Sequence, residues 1–268
     1  MKPELDIDES DVMEAIRLAY GLPVERITFF TTGWVSYCYK VETAAGKRYL
    51  LKLYDESTPA LLIASSRDFY LPLTYQLCTR QFLPQIACPV PAKDGSFSVR
   101  TGPYHIILFH FIEGEQVGFG RLPDEILVKL AGLVGRLHKS TCSLQLANPL
   151  IERFAIAFED VLPTGLEALA NLGPGRRPGL GVYRKLLMPH RSEIRGYLDR
   201  LKGLQSVVRN RAWEMVVCHT DLHGGNLLVD SADNLYILDW EGAMLAPPEQ
   251  DLFFFAGQDT FWDLFWPN

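Results

Sequence analysis

With 268 residues, 48% of them apolar and 22% charged, the chain has the composition of a packed protein, which excludes wholesale disorder. Lys and Arg number 26 against 32 Asp and Glu; a net charge of −6 lacks the basic footprint of a nucleic-acid binder and is compatible with a cationic small substrate. No apolar run approaches the ~18 residues a membrane-spanning helix needs, and the acidic start Met1-Lys2-Pro3-Glu4-Leu5-Asp6 is not a secretory signal.

In chain order, an N-terminal helix is expected first, capped by Ser10, with Val12, Ala15, Ile16 and Ala19 on one face and Gly21 as its stop. The period then changes. Residues 26–32, 36–43 and 47–54 are rich in aromatic and β-branched types and predict strands, with Ala44-Ala45-Gly46 as a turn. A helix over 57–80, bent near Pro72, and two strands at 97–100 and 104–111 complete a small antiparallel lobe that ends at Glu113-Gly114. From Leu122 the text is helical: Ile126, Leu127, Leu130, Leu133, Val134 and Leu137 follow the 3.6 period up to His138-Lys139. Helical blocks are expected at 152–172 and 190–210, separated by a mobile Gly/Pro-rich loop over 173–181. Short strands at 214–217, 227–229 and 235–238 follow.

The five cysteines, Cys38, Cys78, Cys88, Cys142 and Cys218, are scattered and form no C-x-x-C pair. They read as reduced core residues of a cytoplasmic protein. Common nucleotide fingerprints are missing: Gly46-Lys47 has no glycine five residues earlier, and Gly118-x-Gly120 and Gly173-x-Gly175 meet Pro123 and Pro178 where a third glycine belongs.

The chemistry concentrates in His219-Thr220-Asp221-Leu222-His223-Gly224-Gly225-Asn226 and, after a hairpin, Asp239-Trp240-Glu241. Phosphoryl transfer needs the phosphate charge met by a metal and cations, and the accepting hydroxyl relieved of its proton. One loop carboxylate can take that proton, while an Asn five residues on and an Asp beyond the hairpin can grip Mg2+ from two sides. A polar turn between strands would account for Gly224-Gly225 but not for the second carboxylate. Earlier in the chain, Lys52 stands among apolar neighbours in Arg48-Tyr49-Leu50-Leu51-Lys52-Leu53-Tyr54 and requires an anionic partner if buried.

Through His219, Asp221, His223, Asn226 and Asp239-Trp240 the sequence resembles the aminoglycoside phosphotransferase and choline-kinase-like branch of the protein-kinase fold. Val217 to Asp221, Ala246-Pro247 and Asp251-Leu252 are similar to the spectinomycin phosphotransferases of that branch. The resemblance implies an α+β, two-lobed protein-kinase-like fold, with an antiparallel-sheet nucleotide-binding lobe over 1–113 and a mainly helical catalytic and substrate lobe over 114–268. It implies Asp221 as catalytic base, Asn226 and Asp239 as Mg2+ ligands, and Lys52 on the ATP phosphates with Asp68 as its helix-borne partner. Gly33 falls at the phosphate-covering turn, and Phe109, His110, Phe111 and Ile112 at the hinge whose backbone would read adenine. His219 and His223 would brace the loop, Asp251 would pin it, and Glu241 is a candidate for binding an ammonium of the acceptor. Relatives continue for several helices past Asn268, so a truncated C-terminal lobe is expected, leaving the aromatic run from Phe253 to Trp266 without its partner surface.

The expected activity is ATP- and Mg2+-dependent phosphorylation of a small-molecule hydroxyl, an aminoglycoside or aminocyclitol first. The alternatives are a metabolic alcohol kinase of choline, homoserine or methylthioribose type, and an inactive nucleotide-binding chain.

Overall fold

The computed structural model describes residues 7–30, 36–55, 60–173, 178–255 and 257. Gly33 and the aromatic residues past Phe255 lie outside them.

Helix α1 (Glu9–Tyr20) is capped by Asp8, whose carboxylate accepts the Ser10 N–H at 2.9 Å, so the cap falls two residues before the Ser10 expected. Gly21 ends the helix in the left-handed region (φ 72°), where a side chain would be strained. Strands β1 (Val24–Phe29), β2 (Tyr37–Thr43) and β3 (Arg48–Asp55) form an antiparallel meander. Helix α2 (Ala60–Thr79) runs on through Pro72. Strands β4 (Val99–Thr101) and β5 (Tyr104–His110) complete the sheet in the order β1-β2-β3-β5-β4.

The period of two decides what each strand face does. On β3, Tyr49, Leu51 and Leu53 enter a core shared with Val12, Ile16 and Tyr20 of α1. Lys52 and Tyr54 point to the opposite side, where Tyr54 joins Ile107 and Phe109 of β5 in a second core with Phe69, Leu73 and Leu77 of α2.

After β6 (Glu115–Gln116), helix α3 (Asp124–Ser140) packs Leu127, Leu130, Val134 and Leu137 into that second core, as its period predicts. Helices α4 (Val161–Ala170), α5 (Pro178–Leu187) and α6 (Arg191–Arg209) follow. Residues 152–160 are not helical, and the expected loop over 173–181 contains the start of α5. Then come β7 (Val216–Cys218), β8 (Leu227–Val229), β9 (Leu235–Ile237), β10 (Met244–Ala246) and α7 (Glu249–Leu252). Strand β10 pairs with β7, while β6, β8 and β9 form a three-stranded antiparallel sheet.

By compactness the chain divides into 1–151 with 214–268, and 152–213. The first unit holds both cores and all the described residues singled out above for chemistry. The second holds α4, α5 and α6, with an open apolar cavity of about 630 Å3 lined by residues such as Phe158, Leu166, Leu180 and Tyr183.

Candidate active site

The loop between β7 and β8 is held from beneath by Asp251 of α7, which is fully buried. Its Oδ1 accepts the Thr220 N–H at 2.7 Å, and its Oδ2 accepts the His219 N–H at 3.2 Å and faces His138 Nε2 at 2.9 Å. This grip fixes Thr220 at φ 73°, a conformation that costs a β-branched residue about 1–3 kcal/mol. His219 is buried too; its Nε2–H donates to the Leu238 carbonyl at 2.8 Å, and its Nδ1 accepts the Asp221 N–H at 3.2 Å. Those two bonds set the tautomer. Burial holds this imidazole below the usual histidine pKa, so it is neutral at neutral pH.

Asp221 and Asn226 are brought together directly. Asn226 Nδ2 donates to both the main-chain carbonyl and Oδ2 of Asp221, each at 2.9 Å. With its nitrogen committed, Asn226 presents its amide oxygen elsewhere. The β8–β9 hairpin closes the gap to Asp239: Leu227 lies opposite Ile237, and the Leu238 N–H donates to the Asn226 carbonyl at 2.8 Å. Asp239 itself is left-handed (φ 62°), which turns the chain out of the strand and leaves the carboxylate partly exposed.

Lys52 reaches the same place from β3. Its Nζ lies 2.8 Å from Asp239 Oδ1 and 2.8 Å from Glu241 Oε1, with only 13% of the side chain exposed. Burial would lower the ammonium pKa, but the carboxylates of Asp239 and Glu241 hold it well above the usual lysine value. Lys52 in turn draws Asp239 below the usual carboxylate range, against the opposing effect of burial.

The expected partner of Lys52, Asp68, is not there: it is exposed, and no described contact joins it to Lys52. Helix phase explains the miss. Ser66 Oγ donates to the Glu241 carbonyl, and Tyr70, one turn on, is buried on the same face. Asp68, two residues from each, lies about 200° around the helix. Glu241, read from sequence as an acceptor-binding acid, stands in the place expected for Asp68. Its carboxylate also accepts the Tyr54 hydroxyl. Tyr54 and Ser66 escaped the sequence reading, although Tyr54, two residues after Lys52 on one strand face, could have been found by the period of two.

At the hinge, Phe109 is buried and His110 exposed. The His110 N–H donates to the Cys88 carbonyl at 2.8 Å and the Phe111 N–H to the Arg48 carbonyl at 3.3 Å. Among the described hydrogen bonds, none uses the main chain of Ile112. His223 Nε2 lies 3.5 Å from Asp221 Oδ2, and its Nδ1 accepts the Gly225 N–H at 3.0 Å, which braces the loop.

A small antiparallel sheet whose lysine meets a loop and hairpin carrying Asp221, Asn226 and Asp239 belongs to an α+β, protein-kinase-like fold. The chain belongs to the phosphotransferase enzyme family, whose profile matches residues 26–267. It is similar to Protein StrN of Streptomyces griseus, 25% identical over 174 residues that make up 62% of this chain and 53% of that protein. The chain thus spans about half the length of this curated relative. Among solved structures it is similar to the spectinomycin phosphotransferase APH(9)-Ia in complex with ADP and spectinomycin, with a TM-score of 0.73 and 18% identity over 97% of this chain and 80% of that one. The amicoumacin kinase hAmiN in complex with AMP-PNP, Ca2+ and Ami gives 0.66 and 15% over 97% and 76%. The choline kinase LicA from Streptococcus pneumoniae gives 0.52 and 17% over 97% and 80%. At these identities the likeness carries the fold.

Proposed function

We propose that the chain transfers the γ-phosphoryl group of ATP to a hydroxyl of a small, cationic molecule, an aminoglycoside or aminocyclitol such as spectinomycin, in the cytoplasm. A part in antibiotic resistance follows from such an acceptor. The observation that carries the reading is the meeting of Lys52 with Asp239, 2.8 Å apart, beside Asn226 and Asp221.

In this reading residues 1–113 hold the nucleotide and 114–268 the acceptor. Lys52 binds the α- and β-phosphates, and Glu241, fixed by Tyr54 and Ser66, holds the ammonium in place. The main chain of Ile112 pairs with the adenine edge. The Asn226 amide oxygen and the Asp239 carboxylate are hard oxygen ligands that suit Mg2+. Magnesium held there would neutralise phosphate charge. Asp221 accepts a hydrogen bond from the acceptor hydroxyl and takes its proton as the oxygen attacks phosphorus and the bond to ADP breaks. Its own hydrogen bond from Asn226 aims the carboxylate.

The test is a coupled ADP-release assay with spectinomycin, other aminocyclitols and small amino alcohols. ADP release that depends on an acceptor is expected, and Asp221→Ala lowers kcat by about 10²–10⁴ while Mg-ATP still binds. Full turnover in that variant would remove Asp221 from the reaction.

A further inference from the structure

We infer that Phe119, carried on the loop Gly118-Phe119-Gly120, is a stacking platform that makes the site prefer ring-bearing acceptors to acyclic ones. The inference rests on the phosphotransferase reading above and adds to it a residue that sets acceptor preference.

Phe119 is 82% exposed, the highest value for a large apolar side chain among the described residues. The chain around it is arranged to keep it there. Gly118 and Gly120 adopt φ of 83° and 130°, values a side chain would strain, so the ring sits on a short turn with a glycine on each side. That turn is tied to the loop bearing Asp221: the Val117 N–H donates to the Leu227 carbonyl at 2.9 Å and the Gly118 N–H to the Gly224 carbonyl at 3.1 Å. Gln116 donates to the Gly225 carbonyl.

The Gly224-Gly225 pair also makes the room. A Cβ on Gly224 would lie 2.0 Å from the Gly118 carbonyl oxygen, and one on Gly225 would lie 2.9 Å from the tip of the Phe119 ring. The glycines of the catalytic loop are thus matched to the Phe119 turn, a pairing that the failed Gly118-x-Gly120 fingerprint did not suggest.

The ring leads to the base. Phe119 lies 4.9 Å from the His223 ring, centroid to centroid, with Phe254 on the other contact of His223 at 5.9 Å. His223 Nε2 is 3.5 Å from Asp221 Oδ2. An aromatic face joined through the His223 ring to a carboxylate suits a saturated ring that lays its C–H face on Phe119 and points a hydroxyl at Asp221. An ammonium on the same ring gains from the aromatic face and from the partly exposed carboxylates of Asp221 and Asp239. An acyclic amino alcohol has no ring face to offer.

The experiment compares the wild type with Phe119→Ala and Phe119→Tyr, using spectinomycin, glucosamine and choline as probes. Binding is read by calorimetry without nucleotide, followed by acceptor and ATP KM values and thermal melts. Phe119→Ala is expected to weaken binding of a ring probe and raise its KM about tenfold, with ATP KM and Tm unchanged, while Phe119→Tyr stays near wild type. Equal binding to wild type and Phe119→Ala, a fall in Tm without a change in acceptor affinity, or failure of both ring probes to bind overturns the inference; so does phosphorylation confined to choline. Ring binding that depends on Phe119 but yields no phosphate transfer upholds the platform and removes the phosphotransferase reading instead.

Discussion

Glu241 shows how one side chain can change meaning between sequence and structure. As a charge after Asp239-Trp240 it could serve an acceptor ammonium; folded, it serves the ammonium of Lys52, 2.8 Å away, and is steadied by the Tyr54 hydroxyl. The two roles have opposite kinetic signatures. If Glu241 positions Lys52, Glu241→Gln removes the charge that counters the ammonium while keeping a hydrogen-bonding oxygen. The expected outcome is a rise of about tenfold in ATP KM with acceptor KM unchanged, read in the ADP-release assay. A rise in acceptor KM alone would return Glu241 to the acceptor. Asp68→Ala is the matched control: exposed and out of contact with Lys52, it should leave both constants near wild type.

Among elements, the loop from His219 to Asn226 depends on a four-residue helix, because α7 supplies Asp251. One buried carboxylate satisfies two main-chain N–H groups and faces the buried His138, and it holds Thr220 in a left-handed conformation. Asp251→Ala leaves those donors unpaired and frees Thr220 to relax, displacing Asp221 next in the chain. A loss of about 3–5 kcal/mol is expected in urea or thermal unfolding, with kcat falling in whatever fraction stays folded. A loss below about 1 kcal/mol would mean that other contacts hold the loop. The meeting of Asp221, Asn226 and Asp239 was readable in the sequence because one loop and one hairpin separate them, whereas spacing alone did not place Asp251 beneath the loop. The partner of Lys52 was not readable, since it comes from 189 residues away in sequence and the choice between Asp68 and Glu241 turns on helix phase. Strand β6 was illegible for a different reason: two exposed residues, Glu115 and Gln116, carry no period. Helix α5 was hidden by Gly179 and Gly181, which weaken its intrinsic preference and read as loop.

For the molecule as a whole, acid stability turns on the buried His219 rather than on the net charge of −6. Burial lowers the pKa of His219, and partial desolvation with a smaller contribution from Lys47 lowers that of His110 at the end of β5. The unfolded chain binds a proton at each imidazole below a pH of about 6.5, whereas the folded chain binds it only at lower pH. Their contribution to stability is therefore complete above about pH 6.5 and is lost as pH falls through the window down to the folded values. For the fully buried His219 the slope in that window is about 1 kcal/mol per pH unit, or roughly 2–4 °C in Tm for a chain of this size. Asp239, lowered by Lys52, adds a separate loss only below the usual carboxylate pKa of about 4. Thermal melts between about pH 7.5 and 5.5 should show Tm falling with acidification in the wild type. His219→Gln, which cannot titrate, should start lower because the bonds to Leu238 and Asp221 are altered, yet lose most of that slope. An unchanged slope in the variant would move the acid-sensitive site to His110, and His110→Gln, changed at an exposed position, would then be the one to flatten the curve.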